Sequence, residues 1–176
     1  MVAYALPVCD DSIPSTYPDA IRSTESGNWA SAMEEEMQSL KKNKTWKLTQ
    51  LPEGRKAIGC KWVFAKNEGF PTKEDIRYKA RLVAKGYAQK EGINYNEVFS
   101  PVVKHSSIRI LLALVAQLNL ELAQLDVKTV FLNGDLKEEI YMTQPEGYKV
   151  AGKENWVCKL SKSLYGLKQS PRQWYK

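Results

Sequence analysis

The sequence predicts an α+β domain in which helices pack against an antiparallel sheet, and three observations support this prediction. Apolar residues recur at helical spacing through residues 27–43, and residues 106–119 form an apolar run with residues at both ends that are typical of helix caps. Alternation of apolar and charged residues through residues 76–85, broken only at Val83, is the pattern of a half-buried strand. Shorter β-rich runs closed by Gly and Pro surround these segments, so helices and strands mix along one chain of 176 residues.

The N-terminal part predicts an extended segment followed by a helix. Residues 1–25 contain Pro7, Pro14 and Pro18 among polar residues, which is typical of an extended lead-in. The helix predicted over residues 27–43 has acidic residues early and lysines late, as the helix dipole favours. Its predicted core-facing residues are Trp29, Met33, Met37 and Leu40.

A basic hairpin is predicted next. The runs TWKLTQL and GCKWVFAK have the aromatic and β-branched residues that are typical of strands. In the following strand, IRYKARLVAK, the core-facing residues would be Ile76, Tyr78, Ala80, Leu82 and Ala84. The opposite face would be a basic stripe of Arg77, Lys79, Arg81 and Lys85.

The C-terminal half predicts a buried helix and several strands. SSIRILLALVAQLN offers Ser106 or Ser107 as N-cap and Asn119 as C-cap, and its apolar content predicts a well-buried helix. Strands are predicted at LELAQLDV, EIYMTQP and NWVCKL, with a turn at residues 133–135. The final segment, SPRQWYK, predicts the start of a helix.

Composition indicates a soluble globular protein, since 43% of the residues are hydrophobic and 26% are charged. The longest apolar run, ILLALVA, is far shorter than the ~20 residues of a spanning helix. The N-terminus lacks the basic start of a signal peptide. Three cysteines without a CxxC pair, and a single histidine, argue against zinc and for a reducing compartment. We therefore expect a protein that is neither secreted nor associated with a membrane.

The positive charge is concentrated in one region of the chain. The net charge is +6, but residues 1–40 carry seven acidic residues and one basic residue. Residues 41–105 carry fifteen basic residues and six acidic ones. Such a block favours a polyanionic partner, although a solvated lysine-rich face explains the charge equally well.

The segment LAQLDVKTVFLNGDL contains the candidate metal ligands. Asp126 ends an apolar run, and the carbonyl of Val127 could supply a second oxygen to a hard cation. Asp126 could also simply cap the turn that follows it. Phe131 could form a flat wall for a bound sugar, but an ordinary core position explains this residue as well.

The segment SLYGLKQSPRQW contains a candidate nucleic-acid contact. Gly166 permits close backbone approach, Lys168 is cationic, and Ser170 with Pro171 is typical of a helix start. A helix N-terminus beside a glycine can accept a phosphate or the edge of a base pair. The same residues also mark ordinary turns, so this pattern alone is weak.

Several long segments together resemble the reverse transcriptase of copia-type long-terminal-repeat retrotransposon polyproteins. They are NWASAMEEEMQSL, TWKLTQLPEGRKAIGCKWVFAK, YKARLVAKGYAQKEGINYNEVFSPVV, LDVKTVFLNGDL, EIYMTQPEGY and VCKLSKSLYGLKQSPRQWY. Their order and their coverage of nearly the whole chain make the resemblance specific. It implies polymerase fingers and a partial palm, with a lead-in at residues 1–25, a fingers-like region at 26–105 and the partial palm at 106–176.

The resemblance also implies roles for the candidate residues. Asp126 resembles the first catalytic aspartate, which with the Val127 carbonyl holds Mg2+. The complete family site binds two ions: one lowers the pKa of the primer hydroxyl, and both stabilise charge during phosphoryl transfer. Phe131 resembles the aromatic gate that favours deoxynucleotides, and Val130 stands where the family commonly has Ala. Nucleotide binding is implied for Lys79, Arg81, Lys85 and Phe131, without deciding which cation meets the triphosphate. Template and primer support is implied for Gly166, Lys168, Gln169, Ser170 and Pro171.

The implied partners are an RNA or DNA template–primer, deoxynucleoside triphosphates, and the integrase and RNase H modules of a Pol polyprotein. The implied location is cytoplasmic, in virus-like particles, with the nucleus as the alternative. The family's remaining metal-binding carboxylates lie on a Tyr-x-Asp-Asp hairpin, which does not occur before Lys176. We therefore expect an RNA-directed DNA polymerase fragment that is inactive alone. The alternatives are a non-catalytic nucleic-acid-binding remnant and a degenerate remnant without function.

Overall fold

The computed structural model describes residues 13–67, 76–95, 105–123 and 134–175. Within these ranges the helices are α1 (Tyr17–Arg22), α2 (Ser26–Lys42), α3 (His105–Gln117) and α4 (Ser170–Tyr175), with a 3-10 helix at Gly86–Ala88. The strands are β1 (Trp46–Thr49), β2 (Cys60–Asn67), β3 (Arg77–Ala84), β4 (Tyr141–Thr143) and β5 (Val157–Leu160). The prediction of an α+β domain with antiparallel sheets is confirmed.

The described strands form two sheets that meet at the base of the predicted hairpin. One sheet has the order β1-β5-β4, and the other is the β2–β3 hairpin. A short parallel bridge joins the two sheets. In this bridge the backbone N–H of Ile58 donates to the carbonyl of Tyr141 at 2.8 Å, and the carbonyl of Ile58 accepts from the backbone N–H of Thr143 at 2.9 Å. The hairpin is therefore anchored to the three-stranded sheet.

Helix α2 packs its apolar face against the hairpin, as its periodicity predicts. Trp29 is fully buried, and its ring meets Phe64 and Tyr78 edge-on, with ring centroids 5.4 and 4.8 Å apart. Met33 and Leu40 are also buried in the same core. Burying this face stabilises the helix more than the propensity of its residues does.

The alternation predicted for β3 is confirmed along most of the strand. Ala80, Leu82 and Ala84 are buried in the core. The prediction is wrong for Ile76, which is 48% exposed. Ile76 precedes the first residue of the strand, so the pleat that buries every second side chain does not include it.

The prediction of an extended lead-in is wrong for residues 17–22, which form α1. A capping box begins this helix: the Thr16 hydroxyl accepts from the Asp19 backbone N–H at 3.3 Å, and the Asp19 carboxylate accepts from the Thr16 N–H at 3.0 Å. Pro18 lies in the first turn, where a helix needs no N–H donor. The proline that suggests extended structure is therefore compatible with a helix start.

The prediction that residues 106–119 form a well-buried helix is half right. The helix exists as α3, but Ile110 is 62% exposed and Leu111 is 61% exposed. None of the other described helices and strands packs extensively along it. Apolar content shows what a helix can bury, whereas burial also requires an element that covers it. Residues 120–123 are not in a strand, and the rest of the predicted strand LELAQLDV lies outside the described residues.

The remaining predicted elements are found where the sequence places them. β4 lies within EIYMTQP, β5 within NWVCKL, and α4 begins at Ser170. Asn119, the predicted C-cap of α3, has a φ of 48°, the left-handed conformation that commonly ends a helix. Among the described residues, no helix combines the length and the apolar character needed to cross a lipid bilayer.

Candidate nucleic-acid interface

The outer face of the β2–β3 hairpin is basic. Register places Lys79 opposite Ala65 and Arg81 opposite Val63, so the side chains of each pair lie on the same face of the sheet. Lys61, two residues before Val63, points to this face as well and is exposed. We call Lys61, Lys79 and Arg81 the basic face. Strand pairing thus adds Lys61 to Lys79 and Arg81, two of the four cations (with Arg77 and Lys85) that alternation predicts on this face.

A buried glutamate of α2 holds Arg81. The Glu36 carboxylate lies 3.4 Å from Nη1 of Arg81, and it also accepts the backbone N–H of Leu82 at 3.4 Å. The Glu36 side chain is 2% exposed and that of Arg81 is 42% exposed. Burial raises the pKa of Glu36 above its usual value, and the charge of Arg81 and the Leu82 N–H counteract part of that rise. Glu36 therefore anchors the open edge of β3 and orients Arg81.

Lys85 lies apart from the other two predicted nucleotide-binding cations. Its backbone N–H donates to the carbonyl of Gly59 at 2.8 Å, just beyond the end of β3. Its aliphatic chain covers Gly59, where an added methyl group would lie 3.0 Å from Cδ of Lys85. The predicted stripe thus contains three different environments: Lys79 is exposed, Arg81 is ion-paired, and Lys85 lies against the base of the hairpin.

Residues 163–171, which we call the docked segment, lie against the end of β3. The carbonyl of Tyr165 accepts the backbone N–H of Ala84 at 2.8 Å. Gly166 has a φ of 86°, and a methyl group on it would overlap the Ala84 carbonyl oxygen. A methyl group on Gly86 would in turn overlap the Gly166 carbonyl oxygen. Both positions therefore require glycine for the backbones to approach this closely.

Two buried amide side chains hold the second half of the docked segment. Nε2 of Gln89 donates to Oε1 of Gln169 at 3.0 Å, and Oε1 of Gln89 accepts the backbone N–H of Lys168 at 2.9 Å. Nε2 of Gln169 donates to the carbonyl of Asn94 at 2.9 Å. Gln89 is 5% exposed and Gln169 is 1% exposed. Because buried amides are costly to leave unpaired, these bonds fix the local geometry.

Hydrogen bonds also fix Lys168 and Ser170. Nζ of Lys168 donates to the Tyr95 hydroxyl at 2.9 Å and lies 4.6 Å from the centroid of that ring. The Ser170 hydroxyl donates to the Leu164 carbonyl and accepts from the Ser163 hydroxyl, both at 2.6 Å. All five residues predicted to support template and primer thus lie in the docked segment: Gly166, Lys168, Gln169, Ser170 and Pro171.

The predicted metal ligands Asp126 and Val127 lie outside the described residues, as do Val130 and Phe131. Asp135, an acidic residue of the same sequence segment, has its carboxylate 3.0 Å from Nζ of Lys162 and is largely exposed. Within the described ranges, no group of three His, Cys, Asp or Glu residues could hold a metal ion.

Glu36 and Gln89 have structural roles that the sequence does not single out. Glu36 lies three residues after Met33 and four before Leu40, so the helical period does place it on the buried face. The run of acidic residues around it hides this signal. Gln89 lies in an irregular connector, where no periodicity separates a buried glutamine from an exposed one.

Comparison with known proteins shows the family to which this chain belongs. Residues 43–176 match the reverse transcriptase (RNA-dependent DNA polymerase) family. That range contains the β2–β3 hairpin, the docked segment and both described sheets. The chain therefore belongs to the reverse transcriptase family, as the resemblance of its sequence segments implies.

Its curated relatives include the Pol polyproteins of retrotransposons. The retrovirus-related Pol polyprotein from transposon TNT 1-94 of Nicotiana tabacum is 56% identical over 168 residues, which cover 96% of this chain and 13% of that protein. The one from transposon RE1 of Arabidopsis thaliana is 44% identical over 172 residues, covering 97% of this chain and 12% of that protein. The transposon Ty1-BL Gag-Pol polyprotein of Saccharomyces cerevisiae is 34% identical over 160 residues, covering 91% and 9%.

These relatives confirm the copia-type assignment made from the sequence segments. The chain spans 13% or less of the length of each of these three relatives. No solved structure matches the chain.

Proposed function

We propose that this chain holds the primer–template and the incoming nucleotide in an RNA-directed DNA polymerase. In this proposal residues 26–105 are the fingers region and residues 106–176 are part of the palm. One observation carries the proposal: the docked segment bonds directly to the end of β3, the strand that bears Lys79 and Arg81. The two elements assigned to nucleic-acid contact by resemblance therefore touch each other.

The electrostatics of the basic face support binding to phosphates. Lys61 and Lys79 are exposed, and within the described residues neither forms an ion pair. Arg81 forms an ion pair with Glu36 but remains partly exposed. Cations of this kind bind the phosphate backbone by displacing its counterions, so their contribution falls as salt rises.

Catalysis in this proposal depends on residues outside the described ranges. Asp126 and the carbonyl of Val127 would be the Mg2+ ligands of the chain, since carboxylate and carbonyl oxygens suit this ion. The ion would lower the pKa of the attacking primer hydroxyl and offset charge on the transferred phosphate. Phe131 would lie against the sugar of the incoming deoxynucleotide. The integrase and RNase H modules of a Pol polyprotein are the proposed partners.

Binding can be tested by fluorescence anisotropy with a labelled RNA–DNA primer–template. We expect Lys79→Glu to raise the dissociation constant about tenfold at low salt, because it replaces a phosphate contact with a repulsive charge. Lys149→Glu is the matched control, since Lys149 is also exposed but lies outside the hairpin and the docked segment. Equal weakening by both substitutions would show that only net charge matters and would contradict the proposal.

Catalysis needs a separate test, primer extension with Mg2+ and deoxynucleoside triphosphates. In a full-length Pol polyprotein carrying this sequence, Asp126→Ala should abolish extension while primer–template binding persists. Extension that survives this substitution would contradict the metal-ligand assignment. The chain by itself is expected to bind without extending, and extension that requires Asp126 would contradict that expectation. Binding without extension in the polyprotein would favour the non-catalytic nucleic-acid-binding alternative.

A further inference from the structure

We infer that Gln89 is a positioning residue for the primer–template contact, acting through Lys168 and Gln169; the inference rests on the proposed function. Gln89 is buried beneath the docked segment and belongs to none of the elements assigned to nucleic-acid contact. Its carboxamide is nevertheless the one side chain in the described residues that bonds to both Lys168 and Gln169.

The bonding pattern of the Gln89 amide fixes an orientation as well as a distance. Its oxygen accepts the Lys168 N–H and its nitrogen donates to the Gln169 oxygen, so a rotated amide would place like groups together. The Gln169 nitrogen continues the chain to the carbonyl of Asn94. Residues 168 and 169 are thereby held to the connector that follows the 3-10 helix.

The same connector, residues 89–95, also fixes the position of the Lys168 ammonium group. Its backbone is held by Gln89, and its ammonium group is held by the hydroxyl and ring of Tyr95. The conformation of the connector is in turn stabilised by a hydrogen bond from the Lys90 backbone N–H to Oδ1 of Asn94 at 2.9 Å. The position of the Lys168 cation beside Gly166 therefore depends on residues 89–95, which lie more than seventy residues earlier in the sequence.

The two glycines and Gln89 have different roles in holding the docked segment against the end of β3. Gly86 and Gly166 allow the backbones to approach, whereas Gln89 determines how the segment after Gly166 is oriented. A primer–template that contacts Lys168 would meet a preorganised cation and would lose less conformational entropy on binding. Loss of the Gln89 amide should release the backbone of Lys168 without removing any group that touches nucleic acid.

The test compares Gln89→Ala with Gln144→Ala by primer–template anisotropy and by urea unfolding of the whole chain. Gln144 is a matched control, since it is also buried and its amide bonds to the backbones of Val150, Lys153 and Trp156. Both substitutions should destabilise the fold. Only Gln89→Ala should weaken binding, by about five- to tenfold, which corresponds to the contribution of roughly one ordinary hydrogen bond.

A double-mutant cycle with Lys168→Ala distinguishes positioning from general loss of structure. If Gln89 acts through Lys168, Gln89→Ala should have little further effect on binding once Lys168 is alanine. Gln89→Glu should weaken binding less than Gln89→Ala, because the carboxylate keeps the acceptor for the Lys168 N–H and loses only the donor to Gln169. Additive effects, unchanged binding by Gln89→Ala, or equal weakening by Gln144→Ala would each overturn the inference.

The outcome also separates this inference from the proposed function. If the unaltered chain binds and Lys79→Glu weakens binding while Gln89→Ala does not, the inference fails and the proposed function stands. If the unaltered chain does not bind primer–template at all, both are overturned.

Discussion

Gly86 and Gly166 approach so closely that a methyl group on the first would overlap the carbonyl oxygen of the second. Gly86 follows β3, the strand that carries Lys79 and Arg81, and Gly166 lies in the docked segment. Their contact joins parts of the chain that are eighty residues apart in sequence. The proposed interface therefore depends on backbone geometry as well as on charge.

Gly166→Ala should lower the free energy of unfolding more than an alanine at an open turn does. The left-handed conformation alone costs alanine roughly 1–2 kcal/mol, and overlap with the Ala84 carbonyl should add roughly 1–3 kcal/mol. Gly54→Ala is the matched control, because Gly54 has a φ of 74° but nothing within 4 Å of an added methyl group. Urea unfolding measures both variants. If both variants lost the same free energy of unfolding, the close approach of Gly166 to β3 would not contribute to the cost of the alanine.

Glu36→Gln should change how stability depends on pH. Burial raises the folded-state pKa of Glu36, so between the ordinary glutamate pKa and this raised value the folded state binds more protons than the unfolded state. The contribution of Glu36 is therefore full at low pH and is lost as pH rises through that window. A glutamine accepts the Leu82 N–H without titrating.

We therefore expect the stability of Glu36→Gln relative to the unaltered chain to increase as pH rises from about 4 through the raised pKa, by urea unfolding at each pH. Glu35→Gln, on the exposed side of the same helix, is the control for the loss of one negative charge from α2. A relative stability of Glu36→Gln that is constant or falling over this range would contradict a raised pKa in the folded chain.

Helix α3 should tolerate polar substitution at its exposed apolar positions. Leu111→Lys is expected to change the free energy of unfolding by no more than about 0.5 kcal/mol, since exposed sites away from special features are usually neutral. Leu82→Ala, in the core, should cost about 2–5 kcal/mol. Urea unfolding compares the two variants. A loss at Leu111 as large as the loss at Leu82 would mean that another part of the chain covers α3.

The thiol of Cys158 should be unreactive in the folded chain. Burial raises its pKa to about 12, with a smaller contribution from Cys60. Its thiolate fraction at pH 8 is then on the order of 10⁻⁴, and the thiolate is the reactive form. In a Cys9→Ser, Cys60→Ser variant, Ellman's reagent should react with Cys158 only when urea unfolds the protein. Rapid reaction in the absence of urea would show that the thiol is accessible.

Sequence periodicity predicts the elements whose burial repeats regularly. The helical period finds the buried face of α2 through Trp29 and Met33, and alternation finds Leu82 in β3. Both patterns work because the side chains face one continuous core. Burial of Ile76 is predicted wrongly because the strand begins after this residue. Burial of α3 is predicted wrongly because composition carries no information about the element that covers a helix.

The contacts that build the proposed interface are of a different kind. Gln89 and Gln169 are eighty residues apart, and no local pattern indicates that their amides pair. Resemblance identifies Gly166 and Lys168 as candidates, but the reason for the glycine, close approach to Ala84, is visible only in three dimensions. The arrangement depends on long-range register, which periodicity within one element does not contain.

The salt dependence of primer–template affinity tests the central claim most directly. For the unaltered chain, the logarithm of the association constant should fall linearly with the logarithm of salt concentration, with a slope near −0.9 per phosphate contact on a duplex. Lys79→Gln should reduce the magnitude of this slope by about 0.9, the value of one phosphate contact, whereas Lys149→Gln should leave the slope unchanged. A slope that is the same for the unaltered chain and Lys79→Gln would contradict the assignment of the basic face to the nucleic-acid backbone.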